Sequence, residues 1–290
     1  MKKFIIKLLI ILFVILVILA LLANRFRFIP FGEVEIESLI FTQETSQAYD
    51  FQWSDPDNGY LQRLSEEFKL NEIIRDQDSD LSKILAVTDW THNLWSHNGN
   101  NQPEQNDPLS IYREAIDHNR DFRCVEYAIV LTGSLNALDF PSRVLALKMK
   151  DVETIKSGAG HVVTETYSRE FDKWVFIDPQ WNAIPVINDI PLNAVEFQQA
   201  LVENRDEIKI PGFNNSKMVR YFNWIGDYLY YFDTSLDNRY VNDSSPQKLM
   251  LVPVGANEPK DFQRNHPINN MYYTNSVKEF YSVPDISNFN

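Results

Sequence analysis

Residues 4–23 form an apolar run broken only by Lys7. A run of that length is long enough to cross a bilayer as a helix. No second run of this kind follows, so the remaining chain is expected to fold on one side of the membrane. Lys2, Lys3 and Lys7 precede the apolar centre, and Lys7 lies close enough to the interface to snorkel; Arg25 and Arg27 follow it. The charge bias is slight, and a basic N-terminal flank favours the N-terminus inside. Leu21-Leu22-Ala23 makes a poor small-x-small cleavage site, which favours an uncleaved anchor over a signal peptide. The expectation is a single-pass cell-membrane protein with an extracytoplasmic domain.

The 290 residues suffice for one sizeable core with a modest accessory unit. The formal net charge is -13, from 40 acids against 27 bases. That excludes nucleic acid as an expected partner, because phosphate binding needs a basic footprint. Cys124 is the only cysteine, so neither an intrachain disulfide nor a multi-cysteine metal site can form. A lone thiol is either a small buried hydrophobe or a reactive group, and its neighbours decide between them.

Residues 32–41 alternate as a strand does, and residues 61–70 carry apolar side chains at helical spacing. Ser79 or Asp80 can cap a helix over 81–95, and a shorter helix is predicted over 109–119. Asp121 is a plausible N-cap for the next helix, with Cys124 in its first turn. Strands follow at 143–149, 162–167 and 174–177, then a helix over 193–204 and a strand over 249–254. Helices first and a meandering sheet afterwards define an α+β fold. The predicted division is 1–29 (cytoplasmic stub and anchor), 30–80 (N-terminal extension), 81–190 (core) and 191–290 (C-terminal accessory region packed on the core). The aromatics between 221 and 232 serve either as core or as a sugar-binding platform.

A thiol in the first turn of a helix feels the positive end of the macrodipole, which favours the thiolate. It also needs a base. His92, His97, His118 and His266 read as surface or structural residues, whereas His161 opens a hairpin that ends near Asp178. With the turn centred between Arg169 and Glu170, Tyr167 faces Asp172, Glu165 faces Trp174, Val163 faces Phe176, and His161 faces Asp178. Directly opposed Cβ atoms lie about 5 Å apart, so a carboxylate there can bond the imidazole. A slip of one residue would destroy the pairing.

Four segments together resemble the transglutaminase-like superfamily. They are Cys124-Val125-Glu126-Tyr127-Ala128; Leu135 through Pro141-Ser142-Arg143-Val144; Gly160-His161-Val162-Val163-Thr164-Glu165; and Trp174-Val175-Phe176-Ile177-Asp178-Pro179. The resemblance implies a papain-like thiol fold whose nucleophile helix packs on an antiparallel sheet. It also implies catalytic Cys124, His161 and Asp178, an acyl-enzyme, and a peptide or protein amide substrate. Animal members place a tryptophan upstream as an oxyanion donor; Trp95 matches that position, with Trp90 as its rival. No cofactor or metal is implied. The chain departs from the family at Phe122 and Asp139, where glycine is common. The resemblance leaves two functional expectations: a thiol acyltransferase or hydrolase, or a catalytically silent interaction module on the same fold.

Overall fold

A computed structural model describes residues 35–240 and 246–285. The predicted membrane anchor lies outside the described residues. Among the described residues, no helix is long and apolar enough to cross a membrane. Residues 35–41 form no strand; only the neighbouring Thr42 makes an isolated bridge, to Ser276.

The helices come first. They are α1 (Gly59–Phe68), α2 (Asp80–His92), α3 (Pro108–His118) and α4 (Cys124–Ala137). Local chemistry fixes each start. Ser79 and Ser82 form a reciprocal capping box for α2, and the Asp107 side chain caps α3 with Pro108 at its first position. Helix α4 is capped by Arg123 instead of Asp121, and its capping box is completed by the buried Glu126. Cys124 is therefore the first helical residue. Asp121 does different work: its Oδ1 accepts from the Ser96 backbone at 3.0 Å, tying the preceding loop to the helix entry. Gly133 lets α3 approach α4 closely, since a Cβ there would lie 2.5 Å from Pro108 Cγ.

Six strands form the main sheet: β1 (Ser142–Lys148), β2 (Gly160–Ser168), β3 (Lys173–Ile177), β4 (Tyr231–Ser235), β5 (Lys248–Leu251) and β6 (Met271–Thr274). Their spatial order is β6-β5-β4-β1-β2-β3. Every neighbouring pair is antiparallel except the edge pair β5–β6, so the expectation of a wholly antiparallel sheet is corrected there. Residues 191–290 thus contribute three strands to the sheet. They also supply helices α5 (Ala194–Glu203) and α6 (Asn215–Ile225), whose Phe197, Leu201, Tyr221 and Ile225 share a core with Leu145, Leu147, Val163 and Phe176. Helix α4 lies against β2, where Thr164 Oγ1 meets Thr132 Oγ1 at 3.1 Å and donates to the Ala128 carbonyl at 3.2 Å.

The β2–β3 register differs from the expected one by two residues. Tyr167 opposes Trp174, Glu165 opposes Phe176, and Thr164 opposes Ile177. The turn occupies residues 169–172 and uses a left-handed Asp172 (φ 51°), which moves its centre past Glu170. A slip of two keeps every side chain on its expected face. His161 and Asp178 are consequently neighbours just beyond the ladder's last pair.

Glu165 has a separate structural role. Its Oε2 accepts from Arg143 Nη2 at 2.8 Å, and its Oε1 accepts from the Tyr281 hydroxyl and the Ala194 amide. The Arg143 guanidinium also donates to the Phe280 carbonyl and lies over Trp174 and Phe280. This buried pair joins the sheet to the C-terminal segment. Arg143→Met removes one partner and leaves a buried carboxylate, and is expected to destabilise the fold by about 3–5 kcal/mol. Urea unfolding with and without the substitution measures that loss.

Candidate active site

Helix α4 delivers Cys124, the start of β2 delivers His161, and the end of β3 delivers Asp178. The His161 side chain is almost wholly buried, and its Nε2 lies 2.9 Å from Asp178 Oδ2. The Cys124 thiol hydrogen-bonds the same imidazole and the Val162 backbone. With Nε2 engaged by the carboxylate, Nδ1 is the ring nitrogen left for the thiol. Gly160, immediately before the imidazole, is closely packed: a Cβ there would stand 3.0 Å from the Phe262 ring and 3.2 Å from the Leu147 carbonyl oxygen.

Two opposing effects act on each group. Burial pushes the Cys124 thiol up, but the hydrogen bond and charge of His161, with help from the Val162 backbone, leave it below its ordinary value. Burial disfavours the His161 imidazolium, but the charge and hydrogen bond of Asp178, together with Cys124, raise it to about 10. Both displacements favour a thiolate–imidazolium pair.

Asp178 is fully buried and held from three sides. Its Oδ2 also accepts from the Tyr221 hydroxyl at 3.1 Å, and its Oδ1 accepts from the Trp181 amide at 3.2 Å. Its backbone exchanges both hydrogen bonds with Ala183, at 2.9 and 3.0 Å. Burial and the neighbouring carboxylate push the Tyr221 hydroxyl well above its ordinary value, so it stays a proton donor. Trp224 meets the His161 ring edge-on at 4.8 Å between centroids, and Trp181 packs against both Trp224 and Tyr221 at 5.3 Å.

Reading the sequence missed Tyr221, Trp224 and Trp181 as site residues. The aromatic density between 221 and 232 was the available signal, and the structure places it both in the core and against the imidazole. Two histidines read as peripheral also lie near the site. His92 Nδ1 is 3.0 Å from the Pro179 carbonyl oxygen. His97 bridges to Phe122, and burial together with the charge of His161 holds its pKa below the ordinary value. His118 and His266 are exposed.

Trp95 is buried, and its ring packs on Phe122 at 5.5 Å and Tyr127 at 4.6 Å, on either side of Cys124 in the chain. Its Nε1 has no acceptor among the described residues, and neither has that of Trp181. Trp90 instead packs among Phe68 and Tyr112. Phe122 is fully buried in that helical core, and Asp139 adopts φ 64°, a left-handed conformation that glycine takes up without strain. Arg169 bonds the Asp139 carbonyl and carboxylate and holds it there. Among the described residues, no cluster of three or more His, Cys, Asp or Glu is placed to hold a metal. A cavity of about 1270 Å³ beside Ile129 and Thr132 of α4 contains none of Cys124, His161 and Asp178.

Residues 69–179 match the family model Transglut_core, the transglutaminase-like superfamily. That stretch is similar to a transglutaminase-like core. Among solved structures, a candidate cysteine protease from Cytophaga hutchinsonii is similar at 18% identity, over 56% of this chain and 50% of its own, with a TM-score of 0.33. The periplasmic domain of TgpA from Pseudomonas aeruginosa, bound to ethylmercury, is similar at 17% identity, over 48% and 47%, with a TM-score of 0.31. Red sea bream transglutaminase is similar at 12% identity, over 68% and 35%, with a TM-score of 0.36. The chain spans half or less of the length of these structures, and likeness at this level bears on neither substrate nor activity. No curated protein sequence is similar enough to match.

The opposing effects on the thiol give a pH signature. Alkylation of Cys124 by iodoacetamide is expected to reach half its maximal rate below the ordinary thiol value of about 8.5. In His161→Ala the lowering influence of the imidazole is lost while burial, the Asp178 charge and the Val162 backbone remain, so the midpoint is expected to move upward. Mass spectrometry of protein quenched across a pH series reads both.

Proposed function

We propose that this protein cleaves or transfers acyl groups from peptide-like amides, using Cys124 as nucleophile, His161 as acid and base, and Asp178 as the orienting carboxylate. The observation that carries the reading is the hydrogen-bonded line from thiol through imidazole to buried carboxylate. The thiolate attacks the amide carbonyl, forming a C–S bond as the carbonyl electrons move to oxygen. The backbone N–H of Cys124 stands at the unpaired start of α4 and faces no intrahelical acceptor. It serves as one oxyanion donor, and Trp95, with its free indole N–H, is the proposed second. His161 then gives its proton to the leaving nitrogen, the C–N bond breaks, and a thioester remains on Cys124. Water or an amine attacks that thioester, loses a proton to His161, and releases the thiolate. Asp178 keeps its charge throughout and fixes the ring.

The proposed setting follows the sequence: an N-terminal anchor at residues 4–23 and a catalytic domain outside the cytoplasm, acting on peptide or protein amides. One observation favours a second reading. His161 and Asp178 are closed over by Trp224 and Tyr221, as a silent interaction module would permit. Cys124 itself is only partly buried, which favours the enzymatic reading.

Incubation of the full-length chain with glutamine-containing peptides, with and without a primary amine, distinguishes the two. The enzyme is expected to release ammonia or amine and to show an acyl adduct on Cys124 by intact mass. Cys124→Ala is expected to abolish both, and Asp178→Asn to slow release by roughly 10²- to 10⁴-fold. Absence of release and adduct in the unmodified chain would support the silent module.

A further inference from the structure

A line of contacts leads from the imidazole to the protein surface. His161 meets Trp224, Trp224 packs on Trp181 at 5.3 Å, and the Arg220 guanidinium lies 5.3 Å from the centroid of the Trp181 ring. His161 is buried, Trp224 and Trp181 are half-buried and Arg220 is exposed, so the line runs from the buried imidazole outward to the surface. Arg220 and Lys217 stand three apart on α6, and the charge of Arg220 contributes to holding the Lys217 pKa down, after burial. Neither makes an ion pair with a carboxylate among the described residues; Lys217 lies over Phe213 and Arg220 over Trp181. Like charges at this spacing disfavour a helix unless something else uses them. The surrounding protein carries a net charge of -13, so an unpaired cationic pair is a local exception to a surface that repels carboxylates.

We propose that Trp224, Trp181 and Arg220, with Lys217 beside them, form a substrate track that selects peptide amides bearing a carboxylate near the bond attacked by Cys124. This rests on the thiol reading given above and deepens it to a substrate class. The tryptophan faces carry the apolar body of an extended peptide, and the guanidinium receives its carboxylate through a charge-assisted hydrogen bond. The three separations place Arg220 within reach of roughly five residues of extended chain from His161. Arg220 touches neither Cys124 nor its acid–base partners, so its role is specificity.

The test separates recognition from chemistry. Full-length Cys124→Ala, which cannot turn over, is offered a mixture of random nonapeptides, and the retained peptides are sequenced by mass spectrometry. Individual peptides carrying Glu, and their Gln isosteres, are then titrated by calorimetry. Glu-bearing peptides are expected to be enriched and to bind about tenfold or more tightly than the isosteres. The preference should vanish in Arg220→Gln and return in part in Arg220→Lys. Iodoacetamide alkylation of the unmodified protein across pH reads the state of the Cys124 thiol independently of peptide binding. Equal binding of Glu and Gln peptides, retention of no peptide, or a preference that survives Arg220→Gln would each overturn the proposal. A thiol that fails to react as a thiolate would instead overturn the reading beneath it, whatever the binding shows.

Discussion

The site depends on one buried imidazole that bonds a carboxylate on one side and a thiol on the other. An isolated charged histidine would be expelled from so dry a position, because burial favours the neutral ring. Asp178 reverses that preference, and the reversal reaches Cys124 as a proton acceptor held in place. The carboxylate in turn is prevented from turning away by the Tyr221 hydroxyl and the Trp181 amide. Each hydrogen bond in the line orients the next group, so the geometry at the sulfur is set several residues away from it.

This explains why residues 191–290 cannot be treated as ornament. The same stretch that completes the sheet with β4, β5 and β6 also supplies Tyr221 to the carboxylate and Trp224 to the imidazole. The Arg143–Glu165 pair fastens its far end through Phe280 and Tyr281. The C-terminal part thus packs directly on the His161–Asp178 pair, and buried aromatic contacts stabilise that arrangement.

Much of the fold was legible because periodicity and capping are local. The apolar spacing, the Ser79 and Asp107 caps, and the alternation of 143–149 and 162–167 lead directly to the observed helices and strands. The entry to α4 was misread because Asp121 is the better cap by residue type, whereas Glu126 selects Arg123 by reaching back across the first turn. The hairpin register was misplaced by two because a left-handed Asp172 lengthens the turn, and nothing in a period-two pattern distinguishes shifts of two. Cys124, His161 and Asp178 stood out by type and spacing. Tyr221, Trp181 and Trp224 did not, since their part in the site depends on contacts between distant segments, and an aromatic side chain reads from sequence as core.

The central claim is that His161 is an imidazolium paired with a Cys124 thiolate in the resting protein. Nitrogen-15 NMR of the histidine side chains across pH 6 to 9 tests it most directly, with His161→Gln used to assign the resonance. The account predicts that both His161 nitrogens carry protons throughout that range, because its pKa is raised to about 10. A His161 ring that is neutral, with one unprotonated nitrogen at pH 7, would contradict it.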